Sequence, residues 1–134
     1  RWSVRRKKGE LLHEVVVVAE HLNRPAEDVL ETLLHEAAHA LNYGRGIRDC
    51  SPTSQYHNSF FRDAAEELGL AVEKVPNYGY AKTSLTRSAE ARYVRETFEL
   101  SNVLAHRRSA ELTRSPPRIG SNDKNGKENN DNQD

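Results

Sequence analysis

The stretch that most limits what this chain can become is "NRPAEDVLETLLHEAAHALNYG", residues 23–44, which carries the marks of a helix yet holds charge in its middle. Asn23 stands near the N-cap, and Pro25 falls in the first turn, where its missing N–H costs nothing. Glu27 and Asp28 lie at the positive end of the helix dipole, and Gly44 occupies the C′ position. The pattern predicts a helix over residues 25–43. Within it, Leu33, Leu34, Ala37, Ala38, Ala40 and Leu41 surround His35, Glu36 and His39, so the helix is apolar nearly all round and belongs in the interior. A buried histidine or glutamate needs a partner, and a metal ion supplies one.

The spacing says which metal chemistry. His35 and His39, four residues apart, share one helix face at roughly 6 Å, so both rings can converge on one point. H-E-x-x-H is the requirement of a zinc hydrolase: two imidazole ligands and a carboxylate, Glu36, that reaches the metal's water rather than the metal. Zinc brings the pKa of such a water to about 7, and Glu36 then serves as base. The bland alternative, a packed helix whose polar residues face water, fits the apolar surroundings poorly.

Two ligands do not make a site. The extended pattern H-E-x-x-H-x-x-G-x-x-H fails, because Asn42 stands where Gly is required and Arg45 where His is required. Glu66 or Glu67 on a downstream helix is one source of a third ligand, and His57 in "YHNSFF" is another. His57 fits better: the preceding loop can place it at a helix entrance while Phe61 anchors that helix in the core.

The rest of the chain bounds the setting. Of its 134 residues, the final fifteen, "GSNDKNGKENNDNQD", hold nothing that can join a core, which leaves one domain over 1–108 and a disordered tail over 109–134. Balanced charge, 20 basic against 20 acidic residues, argues against strong global attraction to nucleic acid or acidic membranes. The lone Cys50 rules out an intrachain disulfide and a Cys-rich zinc ribbon within this chain, and no apolar run is long enough for a membrane span or a signal peptide. A cytoplasmic protein is expected. A chain that starts at Arg1 and has no Met reads as a processed product or a fragment.

Along the chain, "RWSVRRKKG" reads as a strand ending in a turn at Gly9, and the four valines of "HEVVVVAEHL" as a strand buried on both faces. The Gly-, Pro- and Ser-rich segment 45–56 is a loop, residues 57–68 a support helix closed by Gly69, and "LAVEKV" a short strand. "PNYGYAKTSLT" reads as a Tyr-bearing loop. Thr86 to about Arg108 reads as a long helix with Ala89, Tyr93, Thr97, Leu100 and Leu104 on one stripe.

At the residue level, "TLLHEAAHAL", a loop, then "YHNSFFRDAAEELGL" is similar to the SprT-like metalloprotease domain, in which H-E-x-x-H is followed by a further His and an aromatic anchor. "HEVVVVAEHL" occupies the place of the strand that precedes the active-site helix in that family, and the resemblance covers roughly residues 1–80. It implies an α+β, zincin-like domain: a small sheet packed on the active-site helix and the support helix, plus a C-terminal helix. It further implies zinc (Zn2+) bound by His35, His39 and His57, Glu36 as catalytic base, and protein substrates. Some members degrade proteins crosslinked to DNA, so "RRKK" at residues 5–8 is a candidate phosphate contact, with no role for a membrane.

Other residues carry weaker expectations. His13, His21 and His106 share no helical face with another His and read as solvated. Cys50 reads as a loop thiol, since nothing places a base beside it. Tyr56, Tyr78, Tyr80 and Arg45 are the candidates for oxyanion stabilisation. The functional expectation is a zinc-dependent metallopeptidase; the alternatives are a zinc-binding module without catalysis and a nucleic-acid accessory protein.

Overall fold

A computed structural model of the chain describes residues 1–114, without the side chains of Trp2, Leu11 and residues 4–7. Two hairpins and four helices alternate along it. Strands β1 (Trp2–Lys7) and β2 (Glu10–Val15) pair antiparallel from Trp2 opposite Val15 to Lys7 opposite Glu10. The two-residue turn between them has left-handed φ at both Lys8 (49°) and Gly9 (86°), which suits the twist of the strands it joins. After a 3₁₀ turn at Ala19–Leu22 come helices α1 (Ala26–Gly44) and α2 (Ser59–Glu67). Strands β3 (Leu70–Val75) and β4 (Gly79–Leu85) form the second antiparallel pair, and helices α3 (Arg87–Arg92) and α4 (Val94–Arg114) follow. Mixed helix and strand, α+β, is therefore the class.

Helix α1 organises the core through its i, i+4 series. Ala26, Leu30, Leu34, Ala38 and Asn42 are all buried along one stripe. Leu30, Leu34 and Ala38 pack against Phe61, Ala64 and Ala65 of α2 and Leu70 of β3. Ala38 and Ala65 have no exposed surface, so their small size serves close helix approach. A second cluster joins Ala26 and Val29 to Leu104 of α4, and Leu100 packs against both clusters. The stripe expected on the C-terminal helix is thus the one that faces inward. Among the described residues no helix is long and apolar enough to cross a membrane.

Several expectations need correction. The valine run is not a strand buried on both faces: β2 stops at Val15, and Val15, Val16 and Val18 are exposed. A two-stranded hairpin has no neighbouring strands or helices to cover both sides. "PNYGYAKTSLT" contains β4 rather than being loop throughout; its Pro and Asn form only the turn into that strand. No side chain caps α1, whose N-cap is Pro25 rather than Asn23; the Pro25 carbonyl accepts from Asp28 and Val29 N–H at 3.1 and 3.2 Å. Gly44 is still helical, and the left-handed turn comes at Gly46. The C-terminal helix breaks at Tyr93, whose hydroxyl donates to the Leu68 carbonyl at 3.0 Å. Residues 109–114 are helical, not disordered; the tail expected beyond them lies outside the described residues.

Candidate metal centre

The three histidines singled out in sequence meet in space. His35 and His39 project from α1, and their ring centroids stand 5.3 Å apart; His57 arrives from the loop before α2, 5.3 Å from His35 and 4.9 Å from His39. One nitrogen of each ring lies within 4.8 Å of the corresponding nitrogen of the other two. His39 Nε2 and His57 Nε2 are 3.1 Å apart. Imidazole nitrogens bound to one tetrahedral zinc-sized ion stand about 3.3 Å apart, so this pair already has a ligand-pair spacing.

Beneath them lies Phe61, fully buried, with its ring centroid 4.7, 4.5 and 4.6 Å from those of His35, His39 and His57. The N-cap residue Asn58 aims this helix: its side-chain oxygen accepts from Phe60 and Phe61 N–H, and its amide donates to the Arg48 carbonyl. The His57 backbone is pinned from the other side by β4. His57 N–H donates to the Tyr78 carbonyl and Tyr80 N–H donates to the His57 carbonyl, both at 2.9 Å.

The partner of each Nδ1 decides where the ring protons are. His57 Nδ1 faces the Gln55 carbonyl at 2.9 Å, and His39 Nδ1 faces Asp49 Oδ2 at 3.0 Å. A carbonyl and a carboxylate only accept, so both Nδ1 atoms carry the proton. His35 Nδ1 stands 3.1 Å from the Thr83 hydroxyl, which itself donates to the Glu31 carboxylate and so has only a lone pair to offer the ring. All three Nε2 atoms therefore present lone pairs.

Two lone pairs facing each other at 3.1 Å repel unless a proton or a cation lies between them. Burial, and after it the neighbouring His39, hold His35 down to about 4, and the same two causes in the same order lower His57. His35 and His57 are thereby held toward the neutral form that a metal ligand requires, and a cation between the rings fits their spacing. Asp49 is kept ionised behind His39: burial alone pushes its carboxyl up, but hydrogen bonds from His39 and Asn42 outweigh that and hold it below the usual range. Asn42, itself buried, donates to Asp49 Oδ2 at 2.9 Å and to the Phe60 carbonyl at 3.0 Å.

These rings border an open cleft of about 540 Å³ lined also by Glu36, Cys50 and Pro52. Glu36 adjoins His35 on α1, and its carboxylate meets the amino group of Arg1 at 2.9 Å. Three histidines close enough to hold a metal ion thus share a cleft with a carboxylate.

No protein-family model, curated protein or solved structure matches this chain.

The other sequence candidates fall elsewhere. Glu66 and Glu67 are exposed on α2 and do not join the histidine group; Glu67 is engaged by both terminal nitrogens of Arg45 at 2.8 and 2.9 Å. That pairing also accounts for Arg45. Tyr56, Tyr78, Tyr80 and Arg45 are not among the described residues lining the cleft. His21 and His106 are exposed, and His13 packs edge-on against Tyr43. Burial, and after it Asp49, push the Cys50 thiol up, away from thiolate character. The side chains of Arg5, Arg6 and Lys7 lie outside the described residues.

Sequence reasoning passed over Asp49, Thr83 and Glu31. Asp49 and Thr83 come from a loop and a strand, and no spacing relates them to the motif. Glu31 left a trace: it sits four residues before His35, on the same face of α1.

Proposed function

We propose that this chain is a zinc-dependent metallopeptidase, a zincin-like domain of the SprT-like kind acting on protein substrates. One observation carries the reading: three histidines, each with its Nδ1 held by a separate partner, bring one ring nitrogen apiece within 4.8 Å of one another in an open cleft that Glu36 also lines. His35, His39 and His57 would hold the ion, and a bound zinc supplies Lewis acidity toward water and the scissile carbonyl. Glu36 accepts the proton of the attacking water and returns it to the leaving amine. Asp49, the Gln55 carbonyl and Thr83 orient the three rings, and Phe61 fixes the floor beneath them.

A structural zinc site is the competing reading, and it calls for a fourth protein ligand. Among the described residues the group contains three histidines, and the carboxylate of Asp49 is engaged behind His39. A set of three protein ligands, which would leave a zinc-sized ion one position for water, and a nearby carboxylate both favour catalysis. The test is Glu36→Gln, nearly isosteric and leaving all three imidazoles in place. It keeps about one zinc per chain while cleavage of casein or a denatured protein, with or without single-stranded DNA, falls by ~10² to 10⁴-fold. Undiminished activity removes Glu36 from the reaction, and loss of zinc makes it a ligand. A zinc-loaded parent that cleaves nothing hands the site to the structural reading.

A further inference from the structure

We infer that Glu31 and Thr83 are positioning residues of the metal centre, a two-step relay that holds His35 in the tautomer able to bind a cation. The inference rests on the reading that the three histidines hold a metal, and it concerns residues that touch no metal themselves. Glu31 lies one turn ahead of His35 on α1, whereas Thr83 reaches over from β4, 48 residues further along than His35. The Thr83 hydroxyl donates to Glu31 Oε1 and is left to accept from His35 Nδ1–H, the pair standing at 3.1 Å.

A hydroxyl can donate or accept, so Thr83 alone does not determine the state of His35. Its proton could point at Nδ1 as readily as away from it, and the first orientation would put the ring proton on Nε2, inside the site. The Glu31 carboxylate removes that choice, because it has no proton to give and claims the one on Thr83. His39 and His57 need no such device, since Asp49 and the Gln55 carbonyl are acceptors from the outset. His35 is the one member of the triad whose first partner is ambiguous, and it is the one with a second residue stationed behind that partner.

The relay also ties β4 to the centre a second time. Tyr78, just ahead of the strand, and Tyr80 within it hold the His57 backbone, and Thr83 holds the His35 ring. Two of the three candidate ligands are therefore set by one strand.

Long-range nitrogen–proton NMR of the metal-free protein at neutral pH reads the His35 tautomer, and competition with a chromogenic chelator reads zinc affinity. The parent shows the Nδ1–H form. Thr83→Val removes the hydroxyl at nearly constant shape, moves His35 toward Nε2–H and weakens zinc about ten- to a hundred-fold. Glu31→Leu shifts both in the same direction, because with no acceptor behind it the Thr83 hydroxyl proton is free for His35. Thr83→Ser restores the parent tautomer and affinity, which a purely structural role for the methyl group would not do. An unchanged tautomer in Thr83→Val, or in Glu31→Leu should the valine variant not fold, overturns the relay. Should the parent bind no zinc, the metal-centre reading fails on its own, and the tautomer comparison still decides the relay.

Discussion

Gly79 sits so close to His57 that a Cβ built on it would lie 2.1 Å from the His57 carbonyl oxygen and 2.8 Å from the Tyr56 ring. Its φ of +66° is also one that L-residues rarely adopt. Gly79→Ala must therefore push the His57 backbone away from β4. We expect a loss of at least about 2 kcal/mol in stability, with weakened zinc binding, read from urea midpoints and chelator competition. A variant that melts and binds with the parent would show the contact to be yielding.

His57→Ala removes the only one of the three imidazoles that does not come from α1. Metal analysis of purified protein should find about one zinc per chain in the parent and little in this variant. Glu66→Ala and Glu67→Ala should keep their zinc, since both carboxylates are exposed on α2. Retention in His57→Ala together with loss in a glutamate variant reverses the ligand assignment.

Asp49→Ala strips the acceptor from both His39 Nδ1–H and the buried Asn42 amide. Zinc affinity should drop ten- to a hundred-fold, roughly, and stability by about 1–3 kcal/mol, because two donors lose a shared charged partner. Parent-like affinity by chelator competition would mean that His39 needs no orienting group.

Acid should loosen the metal-free fold through His35. Its folded-state value, about 4, lies below the ordinary 6.5, so between those values the unfolded chain binds the extra proton and stability rises with pH. The contribution is fully present above about 6.5, is lost as pH falls toward 4, and amounts to on the order of 3 kcal/mol. Urea titrations of metal-free protein across that window should show the slope, and His35→Gln should flatten it. Equal slopes in the two proteins would mean that His35 is not held neutral by the fold.

Helix α1 was readable because its marks are local. The H-E-x-x-H spacing depends on nothing beyond one turn of chain and reappears in α1, whereas the apolar surround read as burial on all sides resolves into one buried stripe, with Leu33, Ala37, Ala40 and Leu41 only half-buried. His57 was found by the company of Phe61, whose burial under all three rings gives that pairing its reason. What escaped was non-local. β4 hides behind Pro76, Asn77 and Gly79, residues that build its turn, and its alternation of half-buried and exposed positions is too weak to outweigh them. The valines misled because β propensity says nothing about how many neighbours a strand will have. Asp49 and Thr83 took their roles from tertiary proximity alone.

Phe61 has a consequence for how this protein can change over generations. Its ring belongs to the hydrophobic interior and at the same time stands within 4.7 Å, centroid to centroid, of all three imidazoles. A smaller side chain there would open a void and at the same time let the rings tilt, so a lineage has no substitution at this position that trades robustness against chemistry. Leu104 of α4, packed with Ala26 and Val29 in the second cluster, carries no such double load, whereas substitutions around Phe61 should couple to one another.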